Sequence, residues 1–348
     1  MKNAVKTESI SRVMDFPEAE EVSKDEPIVT IITPAHNAEN TLEACIQSVR
    51  DAGYRNIEHV VVLDNCSDSS LFVCKRFPHL TFAEVNFQNA SAARNFGLEL
   101  SNGRFIKFLD ADDRLLPGAV SAQVEAALAT ANDSIVYFGD FVQNIKDSPD
   151  GFTNQRRRNH VVLPDEVSGI YRFMHQRLMI TCPLHRKSDL LSIGGFSAEL
   201  FSWQEKNLHL RLLLSGKIFV KVGPPCFEYL INHSETQISR LKRPLDREVV
   251  NYCNAVRPIN EMACWTPFNK YGFWRKLLWL HFLSRRMRQL CKDGKGESLS
   301  RGLRLAGVQH PERGFILATV LLSRLYRFFW SWSRLSAFLF GVSLTVML

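Results

Sequence analysis

The sequence has no CxxC pair, and its eight cysteines (Cys45, Cys66, Cys74, Cys182, Cys226, Cys253, Cys264 and Cys291) follow no regular framework. Several lie in apolar runs. They read as reduced, mostly buried thiols of a cytosolic protein rather than a disulfide scaffold. A secretory signal is also missing: residues 1–26 are polar and acidic, lack an apolar core segment, and read as a disordered tail. No uncharged run reaches the roughly 20 residues that cross a bilayer as a helix. The longest, residues 335–348, has 14. There is no internal repeat. No Gly-rich basic phosphate loop follows the first strand-like run, which counts against a nucleotidyltransferase.

What is present is an uneven charge distribution. The net charge of +7 divides into an acidic front, with 24 Lys and Arg against 30 Asp and Glu in residues 1–235, and a basic back, with 19 against 6 in residues 236–348. The front alternates between strand-like and helix-like text. IVTIITP (28–34) is β-branched and continuous, as a buried strand is. Asn40-Thr41-Leu42-Glu43 has the spacing of a capping box ahead of a helix. NIEHVVVLD (56–64), TFAEVN (81–86), RFIKFLD (104–110) and DSIVYFGDFV (133–142) read as further strands. SSLFVCKRF, residues 90–103 and residues 117–132 read as the helices between them. Consecutive β-α units predict a mostly parallel sheet with helices on both faces.

In such sheets ligands collect at the carboxyl ends of the strands. Thr33-Pro34-Ala35-His36, Asp64-Asn65 and the crowded run Asp110-Ala111-Asp112-Asp113 all fall there. Three carboxylates within four residues repel one another. A hard divalent cation removes that repulsion, because Mg²⁺ and Mn²⁺ take oxygen ligands and are often held by one or two carboxylates plus substrate phosphates. An acidic turn ahead of a helix is the plainer alternative. Residues 143–165 are polar and read as a long loop, in which Arg156-Arg157-Arg158 either meet phosphate or stay solvated. Helix QEKNLHLRLLLSG (204–216) and two short strands follow.

Three blocks carry a resemblance. VTIITPAHNAENTLEACIQSVRDAGYRNIEHVVVLDNCSDSS, NASAARNFGLELSNGRFIKFLDADDRLLPGAV and GGFSAELFSWQEKNLHLRLLLSG resemble, in order and spacing, the family-2 glycosyltransferases of the GT-A fold. The resemblance implies a Rossmann-like α/β catalytic domain over residues 27–242. It implies transfer of a sugar from a nucleotide-diphosphate-sugar, UDP being the expected nucleotide, to a lipid-linked or polysaccharide hydroxyl, with Mn²⁺ or Mg²⁺ and with inversion. Carried over residue by residue, Pro34, Ala35, His36 and Asn37 would flank the nucleoside. Asp64 would accept from the base, and Arg94 would lie near the diphosphate. Asp110 would lie near the ribose or metal, and Asp112 would coordinate the metal. Gln204-Glu205 match the pair that opens a helix after Gly194-Gly195-Phe196, with Glu205 as the base. The family's usual Asp is Glu at 205, and Asn207 stands where an acid is common. These departures leave a catalytically inactive nucleotide-sugar-binding scaffold as the alternative. His233 resembles a polar position near the donor.

Residues 243–348 are helical in pattern, basic and aromatic. Arg313, Arg324, Arg327 and Arg334 fall within an arc of roughly 80° at helical periodicity, beside Trp330 and Trp332. This fits a helix lying in a membrane interface, and hence an enzyme peripheral on the cytosolic face. A helix packed on the catalytic domain is the alternative. The arginines sit among Leu, Phe and Trp, which argues against nucleic acid.

Overall fold

The computed structural model describes residues 26–130, 132–145, 155–157, 178–231 and 245–261. The chain divides into two compact units. The first comprises residues 1–161, 178–198 and 217–233, and the second residues 162–177, 199–216 and 234–348. Residues 199–216 thus belong with the C-terminal unit, although their composition groups them with the acidic front. Arg158, His233 and the basic aromatic segments beyond residue 261 lie outside the described residues.

In the first unit the expected alternation holds: β1 (Val29–Ala35), α1 (Leu42–Arg50), β2 (Ile57–Asp64), α2 (Ser70–Lys75), β3 (Thr81–Val85), α3 (Ala90–Leu100) and β4 (Phe105–Phe108). Then come β5 (Arg114–Leu115), α4 (Ala119–Ala129), β6 (Ile135–Phe138), β7 (Phe141–Ile145), β8 (Gln155–Arg157), β9 (Pro183–Arg186) and α5 (Lys187–Ser192). After residues assigned to the second unit, β10 (Ile218–Lys221) and β11 (Phe227–Ile231) complete it. A seven-stranded sheet has the order β10-β6-β9-β4-β1-β2-β3, and a smaller sheet runs β5-β11-β7-β8.

The strand β1 is buried on both sides because both of its faces meet helices. Val29 and Ile31 pack with Cys45 and Val49 of α1. On the other face Gly97 of α3 lies so close that a Cβ there would stand 2.5 Å from Cγ2 of Ile32. Glycine at 97 is what lets α3 settle onto β1 and β2.

Three local expectations change. The capping box does not form: α1 begins after Thr41 without a side-chain cap, and Glu43 pairs instead with Arg76 at 2.6 Å. The single strand over 133–142 is two strands, broken at Gly139-Asp140, where the chain passes from the large sheet to the small one. An apolar run does not reveal which sheet each half joins. The expected loop over 143–165 contains strand: β8 pairs antiparallel with β7, Val142 opposite Arg156. A short polar strand carries no alternation to read.

The two-residue strand β5 and the strand β9 were not expected at all. Pro183-Leu184-His185-Arg186 inserts antiparallel between β4 and β6. Its proline stands at the first strand position, where no ladder donor is lost. His185 is fully buried there, and burial together with the Lys107 ammonium lowers its pKa to about 3. It is a neutral core residue. Lys107 is itself fully buried, donating to Gln123 Oε1 at 2.9 Å and to the Cys182 carbonyl at 3.3 Å. The six described cysteines are all free thiols, five of them buried.

The second unit is helical where described: α6 (Gln204–Leu214) and α7 (Leu245–Glu261) pack on each other. No helix among the described residues is long and apolar enough to cross a membrane.

Candidate active site

Successive strand ends of the large sheet each turn through a left-handed residue that is not glycine: Asn37 (φ 48°) after β1, Asn65 (φ 52°) after β2 and Gln88 (φ 51°) after β3. This conformation is uncommon for side-chain-bearing residues and persists only where neighbours enforce it. The enforcing bonds are present. His36 Nδ1 donates to the Asp64 carbonyl at 2.7 Å, and Asn37 Oδ1 accepts from the Ser67 amide at 2.8 Å. Pro34 and Ala35 are the last two residues of β1.

Asp64 is 5% exposed and organises the third of these turns. Its Oδ1 accepts from the amides of Phe87 (2.7 Å) and Gln88 (2.8 Å), and its Oδ2 from that of Asn89 (2.8 Å). Two lone pairs on each oxygen leave one acceptor position, on Oδ2, for anything else. Asp64→Ala would orphan three amides, so we expect it to cost about 3 kcal/mol or more in urea unfolding. Asp64→Asn keeps the Oδ1 acceptor and should lose clearly less. An alanine variant as stable as the wild type would contradict this anchoring role.

At the end of β4 the Arg94 guanidinium meets Asp110 Oδ1 at 2.6 Å, with Arg94 side-chain exposure of 9% against 34% for Asp110. The Arg94 Cζ also lies 5.3 Å from the centroid of the Phe196 ring. Beneath the turn, α1 supplies Cys45, whose thiol lies 3.7 Å from the Asp110 carbonyl, and Ser48, whose Oγ accepts from the Leu115 amide at 3.0 Å. Burial and then the nearby Asp110 push the Asp112 carboxyl up to about 6. Asp113 is pushed well above the carboxylate range by burial, then by Asp112 and Asp110. Only 1% exposed, Asp113 accepts from the Leu230 amide of β11 at 3.3 Å. It works as a latch between the turn and the small sheet.

The Asp110-Asp112 pair fits a divalent cation. The pair is made of hard oxygen donors, and the burden that burial and Asp110 place on ionising Asp112 is what a cation relieves. No group of three or more His, Cys, Asp and Glu that could hold a metal occurs among the described residues. The protein would therefore supply these two carboxylates, with substrate phosphate and water completing the shell, as is usual for Mg²⁺.

In the second unit Glu205 stands in the first turn of α6, behind Trp203 in a left-handed conformation (φ 63°). Gln204 Nε2 folds back to the Leu200 carbonyl at 2.8 Å. Asn251 of α7 fastens the entry to α6: its Oδ1 accepts from the Phe201 amide at 2.9 Å and its Nδ2 donates to the Ser202 carbonyl at 3.0 Å. Asn207 is 2% exposed, donating to the Ala255 carbonyl at 3.0 Å and accepting from Arg211 Nε at 2.9 Å. An amide can do both where a carboxylate could not donate. That explains the missing acid at 207. Burial lowers the Lys206 amine to about 8 against the opposing pull of Glu205. Nothing in the sequence alone pointed to Asn251, or to Asn95 and Phe196 as partners around Arg94.

The family sequence model described as Glycosyl transferase family 2 matches residues 30–183. That span holds residues 34–37, Asp64, Arg94, Asp110 and Asp112; Gln204 and Glu205 lie beyond it. Over 227 residues the chain is 36% identical to the UDP-Glc:alpha-D-GlcNAc-diphosphoundecaprenol beta-1,3-glucosyltransferase WfgD of Escherichia coli, covering 63% of this chain and 83% of WfgD. The chain belongs to the family-2 glycosyltransferases. Another relative of this glycosyltransferase is GlyA of Streptococcus pneumoniae, 39% identical over 89 residues, which is 24% of this chain and only 13% of GlyA. The chain thus spans a small fraction of that longer relative. Among solved structures, Staphylococcus aureus TarS residues 1–349 in complex with UDP-GlcNAc align with a TM-score of 0.61 at 16% identity. That alignment covers 86% of the glycosyltransferase and 91% of the TarS chain. The shared architecture is the GT-A fold.

Proposed function

We propose that this family-2 glycosyltransferase moves a sugar from a UDP-sugar to the hydroxyl of a lipid-linked or nascent polysaccharide acceptor, with a divalent cation and with inversion. The observation that carries this reading is the grouping of Arg94, Asp110 and Asp112 at the end of β4. A fixed guanidinium and a crowded carboxylate pair suit a diphosphate and its metal. The name of WfgD specifies UDP-Glc and a diphosphoundecaprenol-linked acceptor, which supports the donor and acceptor classes. The basic, aromatic C-terminal sequence supports a position on the cytosolic membrane surface.

In this mechanism the turns at 34–37 and 64–65 flank the nucleoside, and Arg94 offers hydrogen-bond donors to the diphosphate. Asp110 and Asp112 would hold Mn²⁺ or Mg²⁺, which when bound supplies Lewis-acid neutralisation of charge on the leaving diphosphate. Glu205 takes the proton of the acceptor hydroxyl as that oxygen attacks the anomeric carbon. Attack opposite the leaving group inverts the centre.

Calorimetric titration of UDP and GDP, each with and without Mn²⁺, tests the donor half. The expected result is UDP binding that requires the metal. No nucleotide binding under any metal condition would end the transferase reading. UDP binding with no transfer across a broad set of acceptors would instead favour the inactive scaffold, which the Glu205 and Asn207 departures motivate.

A further inference from the structure

Arg94 and Asn95 are consecutive on α3, and each grips a different part of the same region. Asn95 Nδ2 donates to the Phe196 carbonyl at 2.9 Å, and Asn95 Oδ1 accepts from the Phe196 amide at 2.8 Å. One side chain therefore satisfies both backbone groups of one residue. The close approach needs glycine beside it: Gly195 has φ +65°, and a Cβ there would stand 2.5 Å from Asn95 Oδ1. At the N-cap of α3, Asn89 Nδ2 donates to the Ala198 carbonyl at 2.5 Å. The segment from Gly195 to Ala198 is thus strapped along α3 at two points.

This strap sets the Phe196 ring. It is 3% exposed and meets Phe108 of β4 edge-on, centroids 5.0 Å apart at 84°. The ring then lies 5.3 Å from the Arg94 Cζ. A ring against the guanidinium face attracts the cation through its quadrupole and leaves the N–H edges for oxygen acceptors. Asp110 Oδ1 is such an acceptor, at 2.6 Å.

We propose that Phe196, seated by Asn95, is a positioning residue that presets the Arg94 guanidinium for the donor diphosphate. The inference rests on the donor reading above and deepens it. A free arginine loses rotamer freedom when it binds a phosphate; one already held over a ring and paired has lost it beforehand. The ring touches no substrate in this account and acts through Arg94 alone.

The test is a double-variant cycle read by calorimetry with Mn²⁺ present. Phe196→Leu keeps an apolar side chain but removes the π face. It should weaken UDP binding roughly tenfold while leaving competition by uridine, which has no phosphate, unchanged. In an Arg94→Gln background the same substitution should add no further loss. Phe196→Tyr should restore UDP affinity, and Asn95→Ala should mimic Phe196→Leu. If Phe196→Leu does not fold, Phe196→Met carries the same comparison. Additive losses in the double variant, a parallel loss of uridine binding, or wild-type UDP affinity in Phe196→Leu would each overturn the positioning role. A wild type that binds no UDP would overturn the donor reading itself, so the two failures are distinguishable.

Discussion

Glu205→Gln should lower kcat by about a thousandfold while leaving UDP affinity and thermal stability unchanged, because removing a general base typically costs between about 10² and 10⁴ in rate. The amide preserves size and can still make hydrogen bonds, but it cannot take a proton from the acceptor. Glu205 stands in the first turn of α6, where Asn251 and Asn207 fasten the helix to α7 without using the Glu205 carboxylate. The helix should therefore survive the substitution. Glu205→Asp separates reach from chemistry. It places the family's usual residue in a site built around one more methylene, and an ångström of misplacement costs about 10²-fold. The expected order of turnover is Glu, then Asp, then Gln. Measured with a UDP-sugar and an acceptor that supports turnover, a Gln variant as fast as the wild type would remove Glu205 from the chemistry.

Asp112→Ala should abolish the metal-dependent part of UDP binding and reduce turnover by a similar thousandfold, since metal stabilisation of the leaving group is worth several kcal/mol. The same residue predicts a pH signature. Burial and Asp110 raise the folded Asp112 carboxyl from the ordinary 3.8 to about 6. Between those values the folded protein holds a proton that the unfolded chain has released. The metal-free protein is thus relatively favoured in acid and loses that contribution as pH rises through about 6. A divalent cation acts with the opposite sign, because it binds the ionised carboxylate. The rise in Tm on adding Mn²⁺ should be small at about pH 5 and larger at about pH 7.5. Asp112→Ala should flatten that difference. A Mn²⁺ shift that ignores both pH and the substitution would place the metal elsewhere.

Gly97 and Gly195 show how much of the molecule was visible beforehand. Both lie inside the blocks that carry the family resemblance, so their presence was legible while their purpose was not. A Cβ at one would strike Ile32 of β1, and at the other Asn95 of α3. Such collisions exist only once distant segments are brought together. The carboxylate run at 110–113 was equally legible as a cluster. Its division of labour was not: Asp110 pairs with Arg94, Asp113 latches β11, and burial raises the carboxyls of both Asp112 and Asp113. Asp64 looked available for a base and is largely engaged by three amides from a loop more than twenty residues away.

The sequence by itself determined the order of strands and helices through α3, the placement of polar residues at strand ends and the family. The order and placement follow from hydrophobic periodicity and the family from the resemblance of three blocks, signals that are local and survive reading along one dimension. Only the tertiary structure decided that β9 enters the large sheet antiparallel, that one apolar run serves two sheets, and that Arg94 lies over the Phe196 ring and pairs with Asp110. The reason is physical. A fully buried strand such as β9 shows no alternation, and a hydrogen bond or ring contact between residues a hundred positions apart leaves no periodic trace in either segment.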